Sequence, residues 1–168
     1  FATIECAPRV RNSGHWLITF ARLYRATSDE RYLGAARTCL EPLVSKDARP
    51  RGYSFHHRDK AGKDRCNGLM GQAWTIEALC EAADLFEDNS LRDTAEEVFL
   101  QHEFNPEVGL WYRRETDGSH LSLDATFNHQ LWFAATGAMI GSPSANEYIN
   151  RFITLLPSTL VLYPNGLI

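Results

Sequence analysis

Apolar positions recur every three to four residues in six separate runs, the spacing that buries one face of a helix. Trp16, Phe20 and Tyr24 mark the first run, over about 13–25. Tyr32, Ala36, Cys39 and Leu43 mark the second, with Ser28 or Asp29 before it as cap. A third run extends from a capping Asn67 to about Phe86, and a fourth, capped by Ser90, carries Leu91, Ala95, Val98 and Phe99. The pattern then shifts to period two. Gly109 to Arg114, the turn Thr116-Asp117-Gly118-Ser119 and Leu121 to Leu123 predict a β-hairpin. Asp124 is placed to cap a fifth helix reaching about Met139, and a sixth spans about 144–156 before Pro157. The tail after it, Leu160 to Gly166, reads as the start of another long loop.

The runs form a repeat. Trp16, Trp74 and Trp132 stand 58 residues apart, each near the start of a helix that is followed by a short turn and a second helix. A self-similar period of this kind indicates stacked structural units, here three helical hairpins. Turns inside a hairpin are short, whereas the connections 45–66 and 105–123 are long and polar or aromatic. Long connections in a compact domain are usually functional. Two of them at the same end of stacked hairpins would wall one site.

The turn Thr27-Ser28-Asp29-Glu30-Arg31-Tyr32-Leu33 with Ala35-Ala36-Arg37, and the run Asn67-Gly68-Leu69-Met70-Gly71-Gln72-Ala73-Trp74-Thr75-Ile76-Glu77-Ala78-Leu79, carry a resemblance. The chain resembles the six-hairpin glycosidase superfamily of (α/α)6 barrels, which includes unsaturated glucuronyl hydrolases. It is similar in layout to the N-acylglucosamine 2-epimerase group. The resemblance implies an all-α (α/α) toroid with a small β-hairpin in one long loop. It covers nearly all of 1–168 as one helical-repeat domain, but with three hairpins, about half of a barrel. The expected partner is then a second copy of the chain or a missing second half of the ring.

The composition changes this picture little. At 168 residues and 44% hydrophobic, the chain suits one soluble domain. Net charge −4 with interspersed signs gives no footprint for nucleic acid or an anionic membrane. No apolar run approaches the roughly 20 residues of a membrane span, and no signal peptide is visible, although Phe1 in place of Met suggests a longer protein. Cys6, Cys39, Cys66 and Cys80 lack metal-ligand spacing, so neither a metal nor another cofactor is expected. Read as reduced thiols, they favour the cytoplasm.

The inner helices of the resembled barrels meet the long loops at one mouth, where sugars bind. Asp124, Asn128 and Trp132 are spaced to share a face on the fifth helix, and Asn67, Trp74 and Glu77 form the matching stripe on the third. Amides and carboxylates suit sugar hydroxyls, and an aromatic face suits the C–H side of the ring. His56, His57 and Arg65 in the first long loop, and Trp111 and Arg113 in the hairpin, are further candidates. The arginines suit an acidic, uronate-type sugar. The leading expectation is a glycoside hydrolase-like enzyme using Asp124 and Glu77 as its carboxylates. The alternatives are a sugar 2-epimerase with His129 and His57 as its proton-transferring pair and Arg65 or Arg113 on the carbonyl, or a non-catalytic helical scaffold. Each candidate also has a plain structural reading: Trp as core, Asp124 as a cap, Glu77 as a solvated face, His129 as a structural histidine. No phosphate loop, GxSxG elbow or HExxH motif competes.

Overall fold

A computed structural model describes residues 10–159. Among these, six helices run in three hairpins: α1 (Val10–Thr27) with α2 (Glu30–Val44), α3 (Gly68–Phe86) with α4 (Asn89–Leu100), and α5 (Phe127–Ile140) with α6 (Pro143–Thr159). A short three-stranded antiparallel sheet lies between α4 and α5, in the order β1 (Phe104–Asn105), β2 (Leu110–Arg114), β3 (His120–Leu123). The predicted hairpin is thus present, with an additional strand pairing Phe104 to Trp111. Cys6 and the tail after Pro157 that was read as a loop, 160–168, lie outside the described residues.

Helices α1, α3 and α5 form one layer, and α3 packs against both of the others. The contacts climb together along the helices: His15 meets Trp74 and Arg25 meets Glu81 between α1 and α3, while Asp124 meets Leu69 and Trp132 meets Glu77 between α3 and α5. The three helices are therefore parallel. Position in the layer explains burial. The central α3 buries twelve of its nineteen residues, whereas α1 at the edge buries five of eighteen.

The helix starts are built differently from the sequence expectation. Asn67 sits in the left-handed region at φ 58° and makes no side-chain cap. The α3 start is capped instead by distant carboxylates: Asp64 accepts from Gly68 N at 3.1 Å and Asp124 from Leu69 N at 3.4 Å. Asp88, not Ser90, caps α4, accepting from Ser90 N at 3.0 Å. Asp29 caps α2 as expected. Asp124 precedes α5 by three residues and accepts from Thr126 N at 3.1 Å. Pro157 lies inside α6 rather than ending it.

Two glutamines fasten the long connections to the inner layer. Gln72 accepts from Phe55 N at 2.7 Å and donates to Phe55 O at 3.1 Å and Cys66 O at 2.6 Å. Gln130 accepts from Trp111 N at 2.9 Å and donates to Trp111 O at 2.9 Å and Asp124 O at 2.7 Å. Both side chains are sealed from solvent. They are 58 residues apart, so the repeat carries the same bracket twice. Each satisfies backbone groups that local pairing leaves open, Gln72 in the first long connection and Gln130 at β2 and the approach to α5.

The hairpin aromatics form the second half of the core. Trp111, fully buried, packs edge-on against Phe99, Phe104 and Phe133 and tilts against Phe152. It belongs to the core and lines no surface, contrary to the expectation that it binds substrate. The physical reason is enclosure by aromatic side chains of α4, α5 and α6, while Tyr112 and Arg113 beside it stay partly exposed.

Candidate functional site

The concave side of the inner layer collects the site residues around the starts of α3 and α5. Asp124 is 6% exposed and holds three groups: Leu69 N, Thr126 N and, at 3.1 Å, His129 Nδ1. A carboxylate can only accept, so His129 donates from Nδ1 and carries its lone pair on Nε2. Nε2 has no partner among the described residues, and the ring is partly open to solvent. Because Asp124 lies outside α5, it does not share the face of Asn128 and Trp132. It turns back to bridge α3 and His129. Gly68, at φ 61°, leaves room for this: a Cβ there would stand 3.2 Å from Asp124 Oδ2.

The floor is aromatic. Trp74 and Trp132 pack edge to face with centroids 6.3 Å apart, and His15 tilts against Trp74 at 4.9 Å. Trp132 donates from Nε1 to Glu77 at 3.2 Å, and Glu77 also meets Arg22. Each repeated Trp leans on the inner helix of the preceding repeat: Trp132 on α3, Trp74 on α1. Trp16 has no preceding helix among the described residues and is 56% exposed, stacked on Phe20. Arg11, His15 and Arg22 of α1 thus join the site, and sequence reading missed all three. The signal was available, since His15 immediately precedes a repeated Trp and Arg11 lies one turn before it.

His57 sits differently from its expected role. Its side chain is buried against α3, where Gly71 lacks the Cβ that would approach Cδ2 to 3.1 Å. Burial, with Arg11 and His15 nearby, pushes its pKa down to about 3. Burial thus favours the neutral ring, which weighs against the expected proton-transferring role. His56 is turned to Asp59 on the loop surface. Arg65 is exposed, and its side chain is directed to Asp59. Arg113 is engaged by Asp64 and Ser122. Arg113 is thus held by its neighbours, whereas Arg65 pairs with Asp59 at 3.5 Å and is otherwise exposed. Asn67 is half-buried at the α3 start, and Asn128 is exposed on the first turn of α5.

Carboxylates tie the two long connections together behind the site. Glu115 accepts from Arg65 N at 2.8 Å and Cys66 N at 3.0 Å. Asp64 pairs with Arg58 and Arg113; burial raises its pKa, but Arg58 and the hydrogen bonds from Cys66 and Gly68 outweigh that and hold it below the usual range. Cys39, Cys66 and Cys80 are free thiols. Burial pushes the pKa of Cys80 up to about 11, so it is inert near neutrality. Among the described residues no cluster of His, Cys, Asp and Glu is arranged to hold a metal ion, and no helix is long and apolar enough to cross a membrane.

No protein-family model matches the chain. "Archaeal glycosylation protein Q" of Haloferax volcanii is 47% identical over 162 residues, spanning 95% of this chain and 44% of that protein. The chain therefore covers less than half the length of this curated relative. Two solved structures share its fold. The cellobiose 2-epimerase of Bacillus thermoamylovorans B4167 superposes with a TM-score of 0.69 at 16% identity, over 88% of this chain and 43% of that one. The cellobiose 2-epimerase of Spirochaeta thermophila DSM 6192 gives 0.64 at 17% identity, over 90% and 43%. With six helices in three hairpins matching 43% of each of those chains, the chain has their (α/α)-barrel fold, as about half of one barrel.

Proposed function

We propose that the chain contributes half of the active-site ring of a sugar-processing enzyme that works by proton transfer at the carbon beside a carbonyl, in the manner of a 2-epimerase. The observation that carries this reading is His129: its tautomer is set by Asp124, and its basic Nε2 is open on the concave face. His15, exposed and seated on the other side of the Trp74–Trp132 pair, is the second acid–base group in place of His57. One imidazole takes the C2 proton of an open-chain sugar, the electron pair moves to the carbonyl oxygen, and the other imidazole returns a proton to the opposite face of C2. The tryptophans supply the apolar floor on which the sugar lies.

Two further facts favour this reading. Both structural neighbours are cellobiose 2-epimerases, and the relative from Haloferax volcanii is by its name a glycosylation protein. The hydrolase reading has less support. Asp124 has both oxygens engaged and is nearly sealed from solvent, and Glu77 is held by Trp132 and Arg22. Neither is poised as an acid beside a scissile bond.

The test uses the full-length protein with a reducing sugar in heavy water. The expected outcome is deuterium at C2. In His129→Gln the exchange rate falls by about 10²–10⁴, the usual worth of a positioned acid or base, with thermal stability little changed. Asp124→Asn lowers it less, by freeing the imidazole to turn. Hydrolysis of a glycoside without C2 exchange would overturn the reading.

A further inference from the structure

Two nitrogen atoms in the site are buried without a hydrogen-bond partner among the described residues: His57 Nδ1 and Trp74 Nε1. Their rings pack edge to face with centroids 6.3 Å apart. Buried polar atoms in native proteins are nearly always satisfied, and the exceptions call for a reason. Indole Nε1 always carries a proton. Thr75 Oγ1 lies 3.1 Å from His57 Nε2 and has no other partner among the described residues. With Thr75 donating to Nε2, the ring proton sits on Nδ1, and both orphaned atoms are then donors. The side chains beside this pair are Arg11, whose guanidinium carbon is 5.2 Å from the centre of the Trp74 ring, and His15. Both are exposed residues of the first turns of α1, free to change rotamer when a ligand enters.

We propose that His57 Nδ1–H and Trp74 Nε1–H form a two-donor seat for an acceptor oxygen of the ligand, and that this oxygen is the carbonyl oxygen that becomes an enolate. The identity of the oxygen rests on the epimerase reading above; the seat itself does not. The chemistry favours that oxygen over a hydroxyl, because two donors and a nearby guanidinium complement negative charge, whereas a hydroxyl would bring a proton with no acceptor to meet it. Neutral, fixed donors in a water-poor place stabilise charge that develops during reaction without having to reorganise. His57, unable to serve as a base, thereby keeps a role at the site as a donor.

Trp74→Phe tests the seat, because it keeps the aromatic floor and deletes one N–H. An oxyanion donor is worth about 10²–10³ in kcat, so C2 exchange by the full-length protein falls by about 100-fold in kcat with KM nearly unchanged and the melting temperature not lowered. The two isosteres of His57 give a second arm. Asn presents its amide N–H where Nδ1 stood, and Gln presents it where Nε2 stood. His57→Asn therefore retains most of the activity, and His57→Gln loses it. A third arm does not need turnover: calorimetric titration with D-gluconohydroxamate, a planar mimic of an enediolate. Binding at least tenfold weaker in Trp74→Phe and His57→Gln than in the wild type and His57→Asn supports the seat, even if the wild type exchanges no C2 proton and the epimerase reading falls. Equal binding in all four proteins, or none by the wild type, overturns it. A change in KM alone overturns the oxyanion assignment.

Discussion

His57 and His102 show how much a single residue's surroundings decide. Both imidazoles are sealed from water, and burial pushes their pKa values down to about 3 and about 4. His102 is further fixed by its Nδ1 bond to Val98 O at 2.9 Å. Unfolded, each histidine would take a proton near pH 6.5. Between that value and the folded ones the unfolded chain binds more protons, so acid favours unfolding. The contribution of both groups is fully present above about pH 6.5 and is lost as the pH falls toward about 4. The denaturant midpoint is expected to be flat from about pH 8 to 7 and to decline steadily below about 6.5, before most carboxylates titrate. His102→Gln should make that decline shallower. A midpoint unchanged from about pH 7 to 5 would contradict the burial of both rings.

At the scale of elements, the inner helices act as fastening rails for irregular chain. Neither 45–66 nor the approach to α5 could hold its shape alone, because few of its backbone groups pair locally. Gln72 and Gln130 each satisfy one N–H and two carbonyls of those segments from within a helix. Replacing Gln72 by Leu leaves Phe55 N, Phe55 O and Cys66 O unpaired, and replacing Gln130 leaves Trp111 N and Asp124 O unpaired while Trp111 O keeps the Asp124 N–H, each loss costing about 1–3 kcal/mol. Gln72→Leu is therefore expected to destabilise the protein by about 3 kcal/mol or more, and Gln130→Leu by somewhat less, measured by denaturant unfolding. Gln72→Leu should also abolish activity, because Phe55 is two residues from His57. Gln130→Leu should loosen Asp124, whose carbonyl it holds. A loss under about 1 kcal/mol would mean that water replaces the bracket.

The whole molecule is an arc with two open flanks. On α5, Leu131, Ala135, Ala138 and Met139 are exposed at helical spacing. Ile153 is exposed on α6, and Trp16 stands out at the opposite edge. Hairpins in a repeat array depend on neighbours for such faces. Exposed apolar stripes of this kind mark interfaces. With about 43% of each epimerase neighbour's length matched, the flanks are where further hairpins of a ring, or a second copy, would pack. The isolated 168-residue chain is expected to self-associate in sedimentation experiments. Trp16→Glu combined with Leu131→Glu should shift it toward monomer without reducing its helical signal. A wild-type chain that stays monomeric at high concentration would show the flanks to be adequately covered.

The six helices, the hairpin and the threefold repeat were legible in the order of residues, because helical and strand periodicity are local and a repeat is a property of the string itself. Trp74, Trp132 and Glu77 were legible as neighbours for the same reason: each lies on a helix whose phase sets its face. The Gln72–Gln130 equivalence was also present in the spacing, but its meaning was not, since a buried bracket is defined by the backbone that it holds. Tertiary structure alone decided the rest. Asp124, read as a cap for its own helix, bridges α3 and His129 because the chain before α5 bends back. His57, expected as a base, is buried against α3 because its loop folds over that helix. Trp111 went to the core because aromatics of α4, α5 and α6 close around it, and His15 reached the site because α1 lies beside α3. Periodicity records which residues of one element share a side, whereas loop conformation and the register between helices depend on hydrogen bonds and packing between residues about 15 to 60 positions apart, which no local pattern encodes.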